Sequence, residues 1–558
     1  NKIVTMIYFK YHDTPGEEAL SLMQDVNSLE GTHIRSFPPV TGPFAKIKPR
    51  TEFSGPKSWY KEYYDVNAFG GKTPKHVLIS SHHRPCIEAR SFQTLSARLS
   101  RKEAKWSHCL KFGVEPAYIP LYWEWLEDFL RHSRYTLGST HILDVVYASL
   151  YLYKCNSPVM QAFCDSWCPT TNTLHTSVGE MSISLWNIYD LGGLPVNGIF
   201  YDEVVPSAIE LEGSDDADSL YLPYSCKYLF TALQHLSEKH RVGTITFETW
   251  CRFWFCGSSR YFLASGNKKS VLPMTTKDFS SFKDPRPWSD STYEAFRFLG
   301  IPKAHWKQTY LAAFLSCWLC AFALPVSDVG CIRPSTFKPA SFLASGKETS
   351  LAIPVLASIY NGLNKISSSP TPGKNRESFP AQYVYVWTAK YFRSHHISTC
   401  KFVGAPLVGI QGFDSFIKLS DAKSFVSSGL DANWLANSIP DSSDDKREDY
   451  NQPRQFTNFF ISMRSCFLTL RFDNNYVVEP YSPHRFSRQF GFHQDVPGEL
   501  EIPTQKITRE YMFHLFQSSI RSNTKATFFI PSHTFNVQSR VTLSFTSWWE
   551  SVISLTGS

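Results

Sequence analysis

Two arginines three positions apart, Arg485 and Arg488, stand in the stretch Glu479-Pro-Tyr-Ser-Pro-His-Arg-Phe-Ser-Arg-Gln-Phe-Gly-Phe-His-Gln-Asp-Val-Pro-Gly498. A guanidinium keeps its charge and offers five donors in a planar fork, so such a pair can grip carboxylates, phosphates or carbonyl ends. Gln489, His493, Gln494 and Asp495 follow closely and complete a set of candidate interaction residues. Two uses compete for the arginines. In one, they tie the local element to a helical core through buried acidic or carbonyl partners. In the other, both are exposed and meet nucleic acid, with the salt dependence that phosphate contacts bring. His493 and Asp495 alternate beside them, but two ligands do not make a metal site.

Other chemistry-bearing residues are scattered. Cys317-Trp-Leu-Cys320 has the redox spacing C-x-x-C, but it lies in an apolar helical run, where cysteine acts as a small hydrophobe. Cys164 with Cys168, Cys251 with Cys256, His82-His83 and His395-His396 are pairs without zinc-finger spacing. The acidic loop Gly213-Ser-Asp-Asp-Ala-Asp218 lacks the full spacing of a calcium loop. No glycine-rich phosphate loop, serine nucleophile elbow or His-Glu-x-x-His is present. The sequence therefore assigns no catalytic, cofactor-binding or metal-ligating residue.

The elements that must position the arginines can be read locally. Ser482 can cap a helix start, Pro483 suits the first helical position, and Gly491 can close a helix of roughly two turns. Phe486 and Phe490, four apart, then share a buried side. Upstream, Cys466–Phe472 and Tyr476–Glu479 read as a β-hairpin around Asp473-Asn474-Asn475. Most of the remaining chain has helical spacing. Helices are expected around 16–27, 91–110, 121–129, 142–150, 224–240, 247–255, 306–325, 336–346, 350–365, 383–392 and 541–553. The 91–110 helix would carry Arg98, Arg101, Lys102 and Lys105 as a basic face. Ser177-Val-Gly-Glu180 has the form of a capping box, opening a helix through Met181, Leu185, Ile188 and Leu191 that ends at Gly192-Gly193. Trp250, Phe253 and Trp254 mark a core stripe of 247–255. The fold class is mainly α with a minor β component (α+β): a large multi-helix domain with a C-terminal β-hairpin. Mobile loops are expected near 367–380 and 440–452, the first rich in Ser, Pro and Gly.

Composition sets the frame. Hydrophobic residues make up 42% of the 558, with 15 Trp and 43 Phe, which supports large buried cores rather than disorder. The formal net charge is +7, and residues 1–115 carry all but about one unit of it, so this weakly basic, partly irregular extension can meet an acidic partner or nucleic acid. The thirteen cysteines and the absence of an N-x-Ser/Thr sequon fit a reducing compartment. No signal peptide leads the chain, and its start at Asn1 is what a fragment or truncated gene model would show. The longest apolar run, 310–326, reads as a buried helix rather than a membrane span.

The Arg485–Arg488 stretch closely resembles the signature of the plant mobile domain, a family also labelled "aminotransferase-like" that includes the maintenance-of-meristems proteins. Further matching stretches are Thr176–Gly198, with Glu180, Leu185, Gly192, Gly193, Pro195 and Gly198; Trp250–Trp254; Phe314–Leu319; and Leu351–Tyr360. They follow the family's order from about residue 116 to the end. The resemblance implies a plant nuclear protein linked to transposon silencing, gene expression and meristem development. It also implies protein partners, with a serine/threonine phosphatase 7-like protein foremost, and it implies no catalytic activity. The family label invites pyridoxal phosphate chemistry, but no motif marks a Schiff-base lysine, a ring-nitrogen partner or a phosphate cup. Nor is a phosphatase domain present, since Gly-Asp-x-His and Gly-Asn-His-Glu are missing. The leading expectation is a non-enzymatic nuclear interaction module. The alternatives are a transposon-derived metal-dependent nucleic-acid enzyme and a direct DNA- or RNA-binding module.

Overall fold

A helix that is apolar all round has no solvent face and must lie inside the protein. The run Trp306–Trp318 becomes such a helix after its first turn, with Lys307 exposed but every side chain from Thr309 to Trp318 buried. It sits at the centre of the computed structural model, which describes residues 60–66, 72–78, 92–153, 155–213, 220–262, 292–326, 330–392, 406–410, 417–434, 446–447, 454–492, 494–498, 503, 506–520, 527–528 and 541–556.

In chain order, an antiparallel hairpin comes first, β1 (Tyr60–Val66) with β2 (Lys72–Leu78). Helices α1 (Leu95–Ser100), α2 (Tyr122–Ser139), α3 (Leu143–Ala148) and α4 (Ser157–Ser166) follow. Strands β3 (Trp167–Cys168), β4 (Thr173–Thr176) and β5 (Gly179–Met181) form a small antiparallel sheet. Next come α5 (Leu185–Asp190), β6 (Asp202–Glu203), α6 (Ala208–Glu212), α7 (Tyr224–His240), α8 (Phe247–Trp254) and α9 (Thr292–Phe298). The central helix is α10; it runs on as one π-helical stretch, Leu319–Ala323, and stops before Pro325. After it come α11 (Phe337–Ala344), α12 (Ala352–Ser368), α13 (Ala381–Tyr391), α14 (Leu419–Ser428), the short strand β7 (Lys446–Arg447) and α15 (Arg454–Arg464). The hairpin β8 (Phe467–Phe472) and β9 (Asn475–Pro480) leads into the arginine-bearing turn, and α16 (Arg509–Ile520), β10 (Thr527–Phe528) and α17 (Leu543–Thr556) complete the described chain.

The fold is mainly α with a minor β component, as the spacing implies. Around α10, Phe129 stacks on Phe314 at 4.5 Å and Trp125 meets the same ring edge-on at 5.2 Å. From α8, Trp250 stacks on Phe337 at 5.5 Å and gives its indole N–H to the Ala313 carbonyl, while Trp254 is fully buried beside it. No helix among the described residues is long and apolar enough to cross a membrane. A second centre is α12, which supports both β3 and the β8–β9 hairpin. Its start is fixed by the turn at 194–198. The Pro195 carbonyl accepts the N–H groups of Leu351 and Ala352, and Gly198, at φ 138°, lies so close to Thr349 and Ser350 that a Cβ would clash.

Two buried ionic clusters hold the second sheet, in which β6 runs parallel to β8. Asp202 accepts from Lys338 at 2.7 Å and from Arg471 at 2.6 Å, while Lys338 also reaches Glu210 at 3.1 Å. Glu203 accepts from Arg333 at 2.7 Å and from the Tyr201 hydroxyl at 2.5 Å. Ion pairs of this kind are costly to break one partner at a time.

The structure differs from the local reading at several points. Ser177–Glu180 is not a capping box. Gly179 and Glu180 belong to strand β5, and the capping box that opens α5 is Ser184 with Asn187. The expected helix over 91–110 shrinks to α1, and Lys102, at φ 61°, ends any continuation. Its basic face does not form either: Arg98 donates to the Ser367 and Ser369 carbonyls and Arg101 pairs with Glu103. The turn Pro483–Phe490 is 3-10 rather than α-helical, with Phe486 in a non-helical conformation and no side-chain cap from Ser482. Strands β3 to β6 had no counterpart in the periodicity. The Ser/Pro/Gly-rich stretch 369–380 is irregular but tied down, because the Pro370, Pro372 and Gly373 carbonyls accept the N–H groups of Lys105, Ser107 and Lys111. The expected helix at 16–27, the pairs His82-His83 and His395-His396, and the acidic residues 214–218 lie outside the described residues. Of the loop near 440–452, only Lys446–Arg447 is described, paired with β10.

Cys317 and Cys320 are both buried, and burial pushes both thiols up, which leaves them poor nucleophiles. Cys317 meets the Cys251 thiol inside the apolar core, whereas Cys320 accepts the Arg333 N–H at 3.4 Å and touches the Thr336 hydroxyl. Replacing either by Ser is expected to cost about 1–3 kcal/mol, with Cys320→Ser at the low end because its site already accepts polar contacts. Urea unfolding of the two variants measures this; a larger loss at Cys320 than at Cys317 contradicts it.

Candidate functional site

Strand pairing sets the site's acid. In the β4–β5 ladder His175 faces Glu180 and Thr176 faces Gly179. The hairpin β8–β9 then carries the chain across α12 and into the turn Pro483–Phe490, which Gly491 closes at φ 84°. Phe486 and Phe490 are both buried; Phe490 meets Phe459 of α15 and Phe486 meets Tyr481. With the rings fixed, the polar side chains of the turn reach β4 and β5.

Arg485 is fully buried, and its Nε donates to Glu180 Oε1 at 2.9 Å; the Glu180 side chain is equally closed to solvent. Thr173 donates to the same oxygen at 2.8 Å, and His175 Nε2 stands 3.6 Å from it. The guanidinium lies 5.0 Å from the Phe92 ring centre and 5.8 Å from that of Trp548. Its two terminal nitrogens have no hydrogen-bond partner among the described residues, so the aromatic faces supply the attraction there. Arg488 donates to the Val178 carbonyl at 2.8 Å and stacks on Trp434 at 3.9 Å. Burial brings its pKa down to about 10.

The neighbouring polar residues act as clamps. Gln489 accepts the Ser182 N–H at 2.7 Å and donates to the Ser182 carbonyl at 2.9 Å, which continues β5 as a strand would. Gln494 donates to the carbonyls of His484 and Asp495 and accepts from Ser487. Asp495 accepts from Thr542 at 2.7 Å, beside the start of α17. His493 lies outside the described residues. The upstream positions are structural in the same sense. The Leu185 N–H donates to the Tyr481 hydroxyl, Gly192 packs against Tyr383, and Gly193 takes a positive φ of 73° after α5. The structure thus brings Glu180, Leu185 and the turn together. Gly198 and Pro195 serve α12 instead, and Trp250 and Trp254 belong to the core around α10.

His175 escaped the sequence reading, and Cys168 entered it only as a partner of Cys164 without zinc-finger spacing. The structure places Cys168 beside His175 instead. Burial pushes the Cys168 thiol up, but the charge and hydrogen bond of His175 outweigh it and bring it to about 7. Burial likewise opposes protonation of His175, yet Cys168 and Glu180 hold its pKa up at about 9. For Glu180 burial is overcome by Arg485 and His175, giving about 2. The only signal in the sequence is the alternation Thr171, Thr173, His175, which in a strand places all three on one side. A thiolate beside an imidazolium is a nucleophile in an open site. Here Cys168 is packed under Phe92, Phe545, Trp549 and Val552, and His175 lies under Trp549, so no substrate reaches them in this conformation. Among the described residues no group of three or more His, Cys, Asp or Glu is placed to hold a metal. A separate cavity of about 180 Å³ lies between α12 and the β8–β9 hairpin, lined by Glu203, Asn361, Lys365 and Tyr476 among others.

Breaking the Glu180–Arg485 pair leaves a buried guanidinium uncompensated. Glu180→Gln is expected to cost about 3–5 kcal/mol at neutral pH. The carboxylate's folded pKa is depressed, so its contribution is present above the ordinary carboxylate range and is lost as pH falls toward about 2. The stability gap between the parent and Glu180→Gln should therefore close below about pH 4, which denaturant unfolding across pH detects. Cys168 and His175 add little slope. Proton transfer within the pair leaves the number of bound protons near that of the unfolded chain. Arg488→Lys keeps the charge but loses the planar stack on Trp434, and is expected to cost about 1–3 kcal/mol. An unchanged melting temperature for Arg488→Lys contradicts its tethering role.

No curated protein and no solved structure matches the chain. The family model described as plant mobile domain matches residues 141–550, a span that takes in both the Glu180 strand and the Arg485 turn. The chain belongs to the plant mobile domain family.

Proposed function

We propose that the chain is a non-enzymatic nuclear interaction module that acts through protein partners in transposable-element silencing, gene expression and meristem development. The observation that carries this reading is the use made of the family signature. Arg485, Gln489 and Gln494 are buried, Arg488 is largely so, and each makes its contacts within the chain. A signature spent on internal contacts maintains a scaffold, and recognition then falls to the surface around it. Family membership supports the biological setting, and the basic extension adds a charge suited to acidic partners.

By the resemblance, the partner is a serine/threonine phosphatase 7-like protein. The purified full chain should bind such a plant phosphatase in titration calorimetry. It should also leave labelled DNA and RNA uncut with magnesium or manganese, and should catalyse no transamination. Cleavage that chelation abolishes overturns the reading in favour of a transposon-derived metal-dependent nucleic-acid enzyme. Absence of binding to the phosphatase removes that partner.

A further inference from the structure

Helix α7 turns Leu229, Phe230, Leu233 and Leu236 into the core and leaves Tyr224, Tyr228 and His235 on its outer side. Tyr224 is 46% exposed and Phe298, at the end of α9, is 61% exposed. These rings are not scattered. The His305 ring lies 4.8 Å from Tyr224 and 6.0 Å from Tyr228. His235 lies 4.2 Å from Phe298 and 6.0 Å from Phe253. Two ring clusters thus stand on one helix, about 16 Å apart from Tyr224 to His235 at 1.5 Å per residue.

Cations surround them. Lys227, Lys239, Arg241, Arg297, Lys303 and Lys307 are exposed on α7, on α9 and beside His305, against Glu238 and Glu294 in the same segments. Lys227 has a loose partner in Glu212 at 3.6 Å. The positive field reaches the rings: His235 is lowered first by partial burial and then by Lys239. Lysines alone would serve an acidic protein; half-open aromatic pairs would add little there. Cations interleaved with open rings suit a polyanion whose own units are flat and aromatic.

We propose that this face binds single-stranded nucleic acid, with bases stacking on the Tyr224–His305 and His235–Phe298 ring pairs and with Lys303, Lys307, Arg297 and Lys239 meeting phosphates. A duplex hides its base faces, whereas an unpaired strand offers them without regard to sequence. At about 3.4 Å per stacked base, roughly five nucleotides reach from one ring pair to the other. This inference goes beyond the protein-partner reading and does not depend on it.

Fluorescence anisotropy with the full chain tests it. The probes are labelled oligouridine and oligothymidine of about sixteen nucleotides, enough to cover one such site, and a duplex of equal length. Poly-glutamate serves as competitor. Single strands should bind more tightly than the duplex and weaken as salt rises. Tyr224→Ala with Phe298→Ala should weaken binding roughly tenfold at every salt concentration. Lys303→Gln and Lys307→Gln should each lower the slope of log affinity against log salt by about 0.7. All four side chains are exposed, so the melting temperatures of the variants should match the parent. Preference for the duplex overturns the proposal. So does single-strand binding that survives loss of the rings, which would place the contact elsewhere, such as on the basic extension. Poly-glutamate that competes equally well with the ring variant and the parent assigns the face to an acidic protein and overturns it as well.

Discussion

A buried carboxylate and a buried guanidinium cannot be left apart, and that constraint organises this protein. Glu180 and Arg485 are 305 positions apart in the chain, yet they meet at 2.9 Å with no solvent access to either side chain. Desolvating each ion costs several kcal/mol, so the fold is stable only if both arrive together. Everything near them follows. Gly179 and Glu180 must be extended to present the carboxylate, which aligns His175 opposite it. Gln489 must reach Ser182, which fixes the angle of the turn. Phe92 and Trp548 must cover the guanidinium, which draws in segments far apart along the chain.

The second sheet repeats the arrangement with different residues. Asp202 and Glu203, adjacent on β6, take Arg471 and Lys338 on one side and Arg333 on the other. Apolar packing around α10 and α12 supplies most of the burial, but it is tolerant of small shifts between helices. The ion pairs are not tolerant, because a shift of one residue leaves a charge without its partner in a medium of low polarity. The hydrophobic core therefore decides that the helices associate, and the buried charges decide in which register.

The core helices α7, α8 and α10 to α13 were legible from spacing, because their apolar residues bury locally and need no knowledge of the partner, whereas α4, α6, α9, α14, α15 and α16 had no expected counterpart. Trp250 and Trp254, Phe486 and Phe490, and the hairpin at 467–480 all lie where their pattern puts them. The misreadings lie both at the site and away from it. Ser177-Val-Gly-Glu180 has every local feature of a helix start, and the demand of Arg485 for Glu180 overrides it. The basic run from Arg98 to Lys105 has helical spacing, but carbonyls at Ser367 and Ser369 claim Arg98 and the helix ends at Ser100. Both errors have one cause: a partner far away in sequence outbid a local preference of about 1 kcal/mol.

The sequence by itself determined the family, the helical class, the central apolar helix and the hairpin that leads into the arginine turn. These depend on short-range periodicity and on motifs whose order survives without coordinates. Only the tertiary structure decided what the arginines hold, that Cys168 and His175 lie together beneath α17, and which aromatic rings stay open on α7. Those facts depend on the environment of each side chain. A guanidinium, a thiol or an indole has the same letter in a core and on a surface, and its chemistry is set by what the fold places within a few ångströms of it.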